Sequence, residues 1–167
     1  MKTSPVGALL VGIFALAPGC LMGQDAPIKV GSRAPAVVVN DLDGKPVDLA
    51  RFIGSRPVFL EFWATWCESC KALLPRVRAA QVKYGDQVEF IGINVTVNQT
   101  PQGARDYLAQ HQLALRALYD DAGNSIRAYQ VPATSYVVIA DRSGKVVYTG
   151  IGPTQNFDRA LRQVAQQ

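Results

Sequence analysis

Cys67 and Cys70, separated by two residues, are the side chains in this sequence best suited to chemistry. They follow an apolar run and open a segment of helix-compatible composition, and at a helix N-terminus the free amide N–H groups and the macrodipole favour a thiolate. The first sulfur should therefore titrate below the ordinary thiol value of about 8.5, which makes Cys67 the expected nucleophile. Cys70, one turn deeper, is the expected resolving thiol, placed to attack a mixed disulfide that Cys67 makes with a substrate. A structural zinc site would need two further Cys or His ligands, and the chain offers only His111 and Cys20. Two thiolates can also hold Cu(I), so a Cu(I)-binding or metallochaperone-type module is the alternative of a different class. Neither a Met cluster nor a His beside the pair supports it.

These thiols need a scaffold, and the hydrophobic patterning supplies one. Val37 to Asn40 and Val47 to Leu49 are short strand-like runs on either side of Asp43-Gly44, whose residues tolerate φ > 0, so a hairpin is expected to open the domain. Pro57 to Trp63 is a nearly continuous apolar run suited to a central strand covered on both faces. The composition then predicts a helix from Cys67 to Tyr84, a buried strand from Val88 to Val95, and a polar insertion from Thr96 to Gly103. Beyond it, Ala104 to Gln112 reads as helix, Leu115 to Leu118 as strand or loop, and Asp121 to Tyr129 as a short helix. Ser135 to Ala140 and Val146 to Thr149 form a second hairpin across Arg142-Ser143-Gly144, and Phe157 to Val164 closes the chain as an amphipathic helix. This order predicts an α/β fold with a mixed sheet.

The whole chain has 167 residues, the size of one ordinary domain. Its net charge is +4, but the 17 Lys and Arg are scattered among 13 acids without a basic block, which argues against a nucleic-acid partner. Val6 to Ala17 is an uncharged apolar run of 12 residues after Lys2. A transmembrane helix needs about 20 such residues, whereas a secretory h-region needs roughly 7 to 15. Residues 1–19 are therefore expected to be an export signal, 20–34 a tether, and 35–167 the folded domain. Ala17-Pro18-Gly19-Cys20 resembles a bacterial lipoprotein processing site, which would make Cys20 the acylated first residue and a membrane anchor; ordinary cleavage near Gly23 is the alternative.

The segment Phe59-Leu-Glu-Phe-Trp-Ala-Thr-Trp-Cys-Glu-Ser-Cys-Lys resembles the thioredoxin superfamily, and more specifically its extracytoplasmic TlpA/ResA-type thiol-disulfide oxidoreductases. The resemblance covers roughly residues 30 to 166. Pro75 falls where that family's active-site helix has its kinking proline, Val131-Pro132-Ala133-Thr134 where it has a cis-proline loop facing the cysteines, and Gly150 and Gly152 where related chains also carry glycine. It implies a thioredoxin-like fold, with a mixed central sheet flanked by helices, an added N-terminal β-hairpin and a central insertion.

The resemblance also implies roles for single residues. Glu61 interrupts the apolar strand six positions before Cys67, where cytoplasmic thioredoxins carry a buried acid. Buried there, its pKa should rise, and it could take the Cys70 proton directly or through water. A carboxylate reaching solvent at the strand end is the bland alternative. An acid that some relatives carry three residues after the second cysteine is replaced here by Leu73. A cis Pro132 would turn the Val131 backbone toward the active site to pair with an extended substrate; a trans proline that merely starts the strand is the other possibility. Trp66 is expected on the exposed rim around Cys67, with Trp63 in the core. Lys71, His111 and Glu89 read as solvated.

The functional expectation is an exported thiol-disulfide oxidoreductase, a dithiol reductase of protein disulfides in the bacterial periplasm or cell envelope. The family resemblance suggests apocytochrome c or a copper-site protein as substrate. No cofactor beyond the Cys67/Cys70 couple is expected, and the chain has no Gly-rich nucleotide motif, so a membrane electron donor would have to supply reducing equivalents. Glu68-Ser69 between the cysteines contains no His to stabilise a thiolate, which favours a reductant over an oxidant. A peroxiredoxin-like peroxidase would need Pro and Ser or Thr at the positions held by Leu60 and Ala64.

Overall fold

The structure, a computed structural model, describes residues 26–113 and 115–167. The expected export signal, Cys20 and the first part of the tether lie outside them. The apolar run after Pro57 forms strand β3 (Val58–Trp63), buried at every position. It lies in a seven-stranded sheet. Strands β4 (Glu89–Asn94) and β5 (Arg116–Tyr119) run parallel to β3, whereas on its other side β6 (Tyr136–Ala140) pairs antiparallel with β3 and β7 (Val146–Ile151) antiparallel with β6. The opening hairpin, β1 (Val38–Asp41) and β2 (Pro46–Asp48), turns at Gly44 with φ 79° and joins the sheet through β5. The sheet is mixed, in the thioredoxin-like α/β arrangement.

Because side chains alternate along a strand, β3 divides the core. Phe59 joins Leu73, Val77, Phe157 and Leu161 from helices α1 (Glu68–Tyr84) and α4 (Asp158–Ala165), with Phe59 edge-on to Phe157 at 5.2 Å between ring centroids. Glu61 and Trp63 share that face by alternation. Phe62 points the other way, toward Tyr129 at 5.5 Å, just past the short helix α3 (Asn124–Ala128).

Helix α2 (Pro101–Gln110) begins three residues before the expected start. Thr100 Oγ1 accepts the Gly103 N–H at 3.0 Å, so Thr100 is an N-cap and Pro101 the first helical residue, where proline lacks nothing the helix needs. The tether is shorter than expected. Gly31 N–H donates to the Val146 carbonyl and Ala34 N–H to that of Gly144, both at 2.8 Å, and Ala34 is buried, so the domain starts before residue 35. Glu89 is not simply solvated: Arg56 and Arg116 pair with its two carboxylate oxygens at 3.3 and 2.9 Å. Asp120 is buried and accepts from the backbone N–H groups of Asn124, Ser125 and Ile126, which satisfies the amides that open α3.

Candidate active site

The C-terminal end of β3 runs through Ala64 and Thr65 into the cysteine pair, and Cys67 caps α1. Its Sγ accepts the Cys70 backbone N–H at 3.0 Å, in the place a Ser or Asp side chain takes at an ordinary N-cap. Cys67 and Cys70 form a disulfide with Cα atoms 5.2 Å apart, and both are buried. Exposure therefore does not distinguish them; position does. Cys67 has the helix N-terminus to stabilise its thiolate, whereas Cys70 lies in the first turn and faces inward. Pro75 lies within α1.

Behind Cys70 is a small, partly open cavity with about 10 Å³ open to the centre of a water molecule. Glu61, Trp63, Cys70 and Tyr107 line it together with Leu74, Leu113 and Leu115. Glu61 is 3% exposed, and loss of water around the carboxyl pushes its pKa from 4.5 up to about 7. The solvent-reaching alternative is thereby excluded, and the group can bind or release a proton near neutrality. No charged side chain drives this rise; burial alone does.

Tyr107 is the residue that sequence reasoning missed. It comes from α2, beyond the polar insertion, and stacks on Trp63 with ring centroids 5.3 Å apart. A lone tyrosine in a polar helix carries no signal in the sequence that it will line this cavity. His111, read as a surface residue, caps the C-terminus of α2 and places its ring 4.3 Å from that of Tyr107.

Trp66 is 48% exposed, as a rim residue should be, and its Nε1–H donates to the Val97 carbonyl at 2.8 Å. Beside it, the Gln99 side chain accepts the Thr65 N–H at 2.9 Å and donates to Thr65 Oγ1 at 3.0 Å. The polar insertion thus straps the active-site loop from behind. Lys71 is not free in solvent but pairs with Glu68 at 2.6 Å across one helical turn.

The cis-proline expectation is corrected. No cis peptide bond occurs among the described residues, so Val131-Pro132 is trans. The chain reverses instead through left-handed residues at Gln130 (φ 49°) and Ser135 (φ 61°), and the Val131 N–H donates to the Ile126 carbonyl at 3.0 Å. That N–H is not free for a substrate. Pro132 is exposed in the loop leading into β6, at the same end of the sheet as Cys67. Among the described residues, no group of three or more His, Cys, Asp or Glu gathers to hold a metal ion.

Comparison with known proteins agrees with this geometry. Residues 29–164 match the redoxin family. The chain is 31% identical over 125 residues to the thiol-disulfide oxidoreductase ResA of Bacillus thuringiensis, covering 74% of this chain and 70% of that one. It is 30% identical over 146 residues to ResA of Bacillus subtilis, covering 84% and 79%. A secreted disulfide oxidoreductase of Mycobacterium tuberculosis, described as homologous to E. coli DsbE, superposes with a TM-score of 0.66 at 25% identity, over 79% of this chain and 96% of that one.

Proposed function

Since the chain belongs to the redoxin family, as a thiol-disulfide oxidoreductase of the TlpA/ResA type within the thioredoxin superfamily, we propose that it works as an exported dithiol reductase of protein disulfides. The observation that carries this reading is the difference between its two sulfurs: Cys67 caps a helix, and Cys70 faces a cavity holding a buried acid that titrates near neutrality.

In the reduced enzyme the Cys67 thiolate attacks one sulfur of a substrate disulfide. That S–S bond breaks, a Cys67–substrate bond forms, and the other substrate sulfur leaves as a thiolate that takes a proton. Glu61 then accepts the Cys70 proton. The Cys70 thiolate attacks Cys67 Sγ, the mixed disulfide breaks and the second substrate thiolate departs. Two electrons pass from the dithiol to the substrate, and the Cys67–Cys70 disulfide remains. A membrane electron donor returns it to the dithiol.

Trp66 and Pro132 form the rim on which an extended substrate docks, with the Val131 carbonyl as acceptor for a substrate N–H. The apolar run at 6–17 supports export to the periplasm or envelope, with Cys20 as a lipid anchor. The secreted relative from Mycobacterium supports the same compartment. Disulfide-bonded apocytochrome c is the substrate class to which the resemblance to ResA points.

Equilibration with glutathione couples tests the direction of electron flow. The reduction potential should lie nearer the thioredoxin value of about −270 mV than the strongly oxidising value of about −120 mV. A potential at the oxidising end would overturn the reductase reading. Cys70→Ala should accumulate mixed disulfides through Cys67 with exported proteins, and their mass spectra would identify the substrates.

A further inference from the structure

Two polar groups on residues lining the cavity behind Cys70, the Trp63 indole and the Tyr107 hydroxyl, have no protein partner, and Glu61 lines the same cavity. Trp63 Nε1–H and Tyr107 O–H are buried without a hydrogen-bond partner among the described residues. Buried polar groups are seldom left in that condition, because each costs the free energy of its lost hydration. The space available to a water centre, about 10 Å³, matches one water, and a buried water is held by two to four polar partners. The indole nitrogen lies close over Gly92, the β4 partner of Glu61, where a Cβ would come within 2.9 Å of Nε1.

We propose that Tyr107 is a positioning residue for Glu61: its hydroxyl and the Trp63 indole hold one water in the cavity, and that water sets the proton affinity of the carboxyl. The inference deepens the proposed role of Glu61 and rests on it. Trp63 can only donate, whereas a tyrosine hydroxyl donates or accepts. With both donating to the water oxygen, the two water hydrogens turn outward to the Glu61 carboxylate and the Cys70 sulfur, stabilising negative charge on each. When Cys70 is a thiol, Tyr107 rotates to accept. That frees a lone pair of the water for the Cys70 proton, and the water passes one of its own protons to Glu61. The water is regenerated, Cys70 becomes a thiolate and Glu61 a neutral acid. The α2 helix, which follows the polar insertion, thereby reaches the chemistry of the cysteines.

The groups around Glu61 leave few competing causes for a change in its titration. From α1 Cys70 faces it, and from α2 Tyr107. Its register partners on β4 and β6, Gly92 and Val137, do not titrate. Burial, then the Glu61 carboxylate, push the Tyr107 hydroxyl up; Glu68 adds to this, Arg78 opposes it, and the His111 ring packs against it.

The test is the titration of the Glu61 carboxyl in the oxidised full-length protein, followed by carbon-13 NMR in the unmodified protein and in Tyr107→Phe. Phenylalanine keeps the ring stacked on Trp63 and removes only the hydroxyl, so a purely packing role predicts no change. Loss of a donor to the water should raise the Glu61 midpoint by roughly half to one on the pH scale, a three- to tenfold change in proton affinity. An unchanged or lowered midpoint overturns the proposal. In the unmodified protein the Trp63 indole N–H should also show cross-relaxation with a long-lived water, and its absence would overturn the proposal even if Tyr107→Phe folded poorly. Resolution kinetics of Glu61→Gln separate the two levels. If that variant resolves mixed disulfides at the normal rate, the acid's catalytic role fails; if it is slow while Tyr107→Phe leaves the titration unmoved, only the positioning role fails.

Discussion

Glu61 and Gly92 face each other across the parallel β3–β4 ladder, the one residue carrying a buried carboxyl and the other no side chain at all. The pairing is a matter of space. A Cβ at position 92 would come within 2.7 Å of Leu115 Cδ1 and 2.9 Å of Trp63 Nε1, both on the cavity wall. Glycine in a strand interior weakens it, and here it marks the close approach of an aromatic ring to the backbone.

Gly92→Ala should therefore be destabilising despite the better strand propensity of alanine. The Leu115 side chain can rotate away, but the Trp63 ring is held by its stack on Tyr107. Overpacking of this kind costs about 1–3 kcal/mol, readable by urea denaturation of the oxidised protein. The displaced indole should also slow resolution of mixed disulfides. Unchanged stability and kinetics would show that the cavity tolerates a methyl group.

The buried acid gives stability a pH dependence of definite sign. The Glu61 pKa rises on folding from 4.5 to about 7, so the folded state holds this proton more tightly than the unfolded chain. The contribution is fully favourable below pH 4.5 and is lost as pH climbs through about 7. The difference is roughly 3–4 kcal/mol at most, since each tenfold change in proton affinity corresponds to about 1.4 kcal/mol. Glu61→Gln should flatten this part of the stability profile and make the oxidised protein more stable than the unmodified one at pH 8. Denaturant midpoints at pH 5 and pH 8 check it; parallel profiles for both proteins would mean that the carboxyl stays hydrated.

How much of this was readable from sequence depended on whether the signal was local. The apolar run of β3, the Asp43-Gly44 turn and the cysteine cap are local patterns, and each was where the residues placed it. Glu61 could be singled out because a carboxylate inside an apolar strand is costly unless it has a role. Tyr107 could not, because its place on the cavity wall arises from a stack on Trp63, 44 positions earlier in the chain. The start of α2 was misplaced because Thr100-Pro101 serves equally as a loop signal and as a helix cap with proline at the first position. Pro132 misled for a different reason. The cis expectation came from the resemblance to the family's proline loop, but the turn here is made by left-handed Gln130 and Ser135, residue types that do not advertise a positive φ.

The Gln99 strap predicts a kinetic phenotype from a residue that is no part of the reacting groups. Its side chain holds both the N–H and the hydroxyl of Thr65, and its carbonyl accepts from the Tyr119 hydroxyl at 2.9 Å. Gln99→Ala leaves the Thr65 N–H without its partner and loosens the loop carrying Trp66. Stability should fall by about 1 kcal/mol, the net value of a typical intramolecular hydrogen bond. Attack of Cys67 on a peptide disulfide should slow several-fold, while the reduction potential stays near that of the unmodified protein. Stopped-flow fluorescence of Trp66 reads the rate, and an unchanged rate would make the strap purely structural.

The Glu68–Lys71 pair should tune the Cys67 thiolate in opposite directions from its two ends. Both residues lie in the first turn of α1, close to the sulfur that caps it, and they bind each other at 2.6 Å. A carboxylate there repels a thiolate, and the ammonium offsets part of that repulsion. The pair is well exposed, so solvent and salt screen both effects, and the changes should be small. Glu68→Gln should lower the Cys67 pKa and make the disulfide more oxidising, because a more stable thiolate favours the reduced form. Lys71→Gln should raise the pKa and make the disulfide more reducing. The pH dependence of Cys67 alkylation in the reduced protein measures the first effect and glutathione equilibration the second. Changes of the same sign in both variants would mean that the helix N-terminus alone sets the thiolate, with the pair acting only through packing.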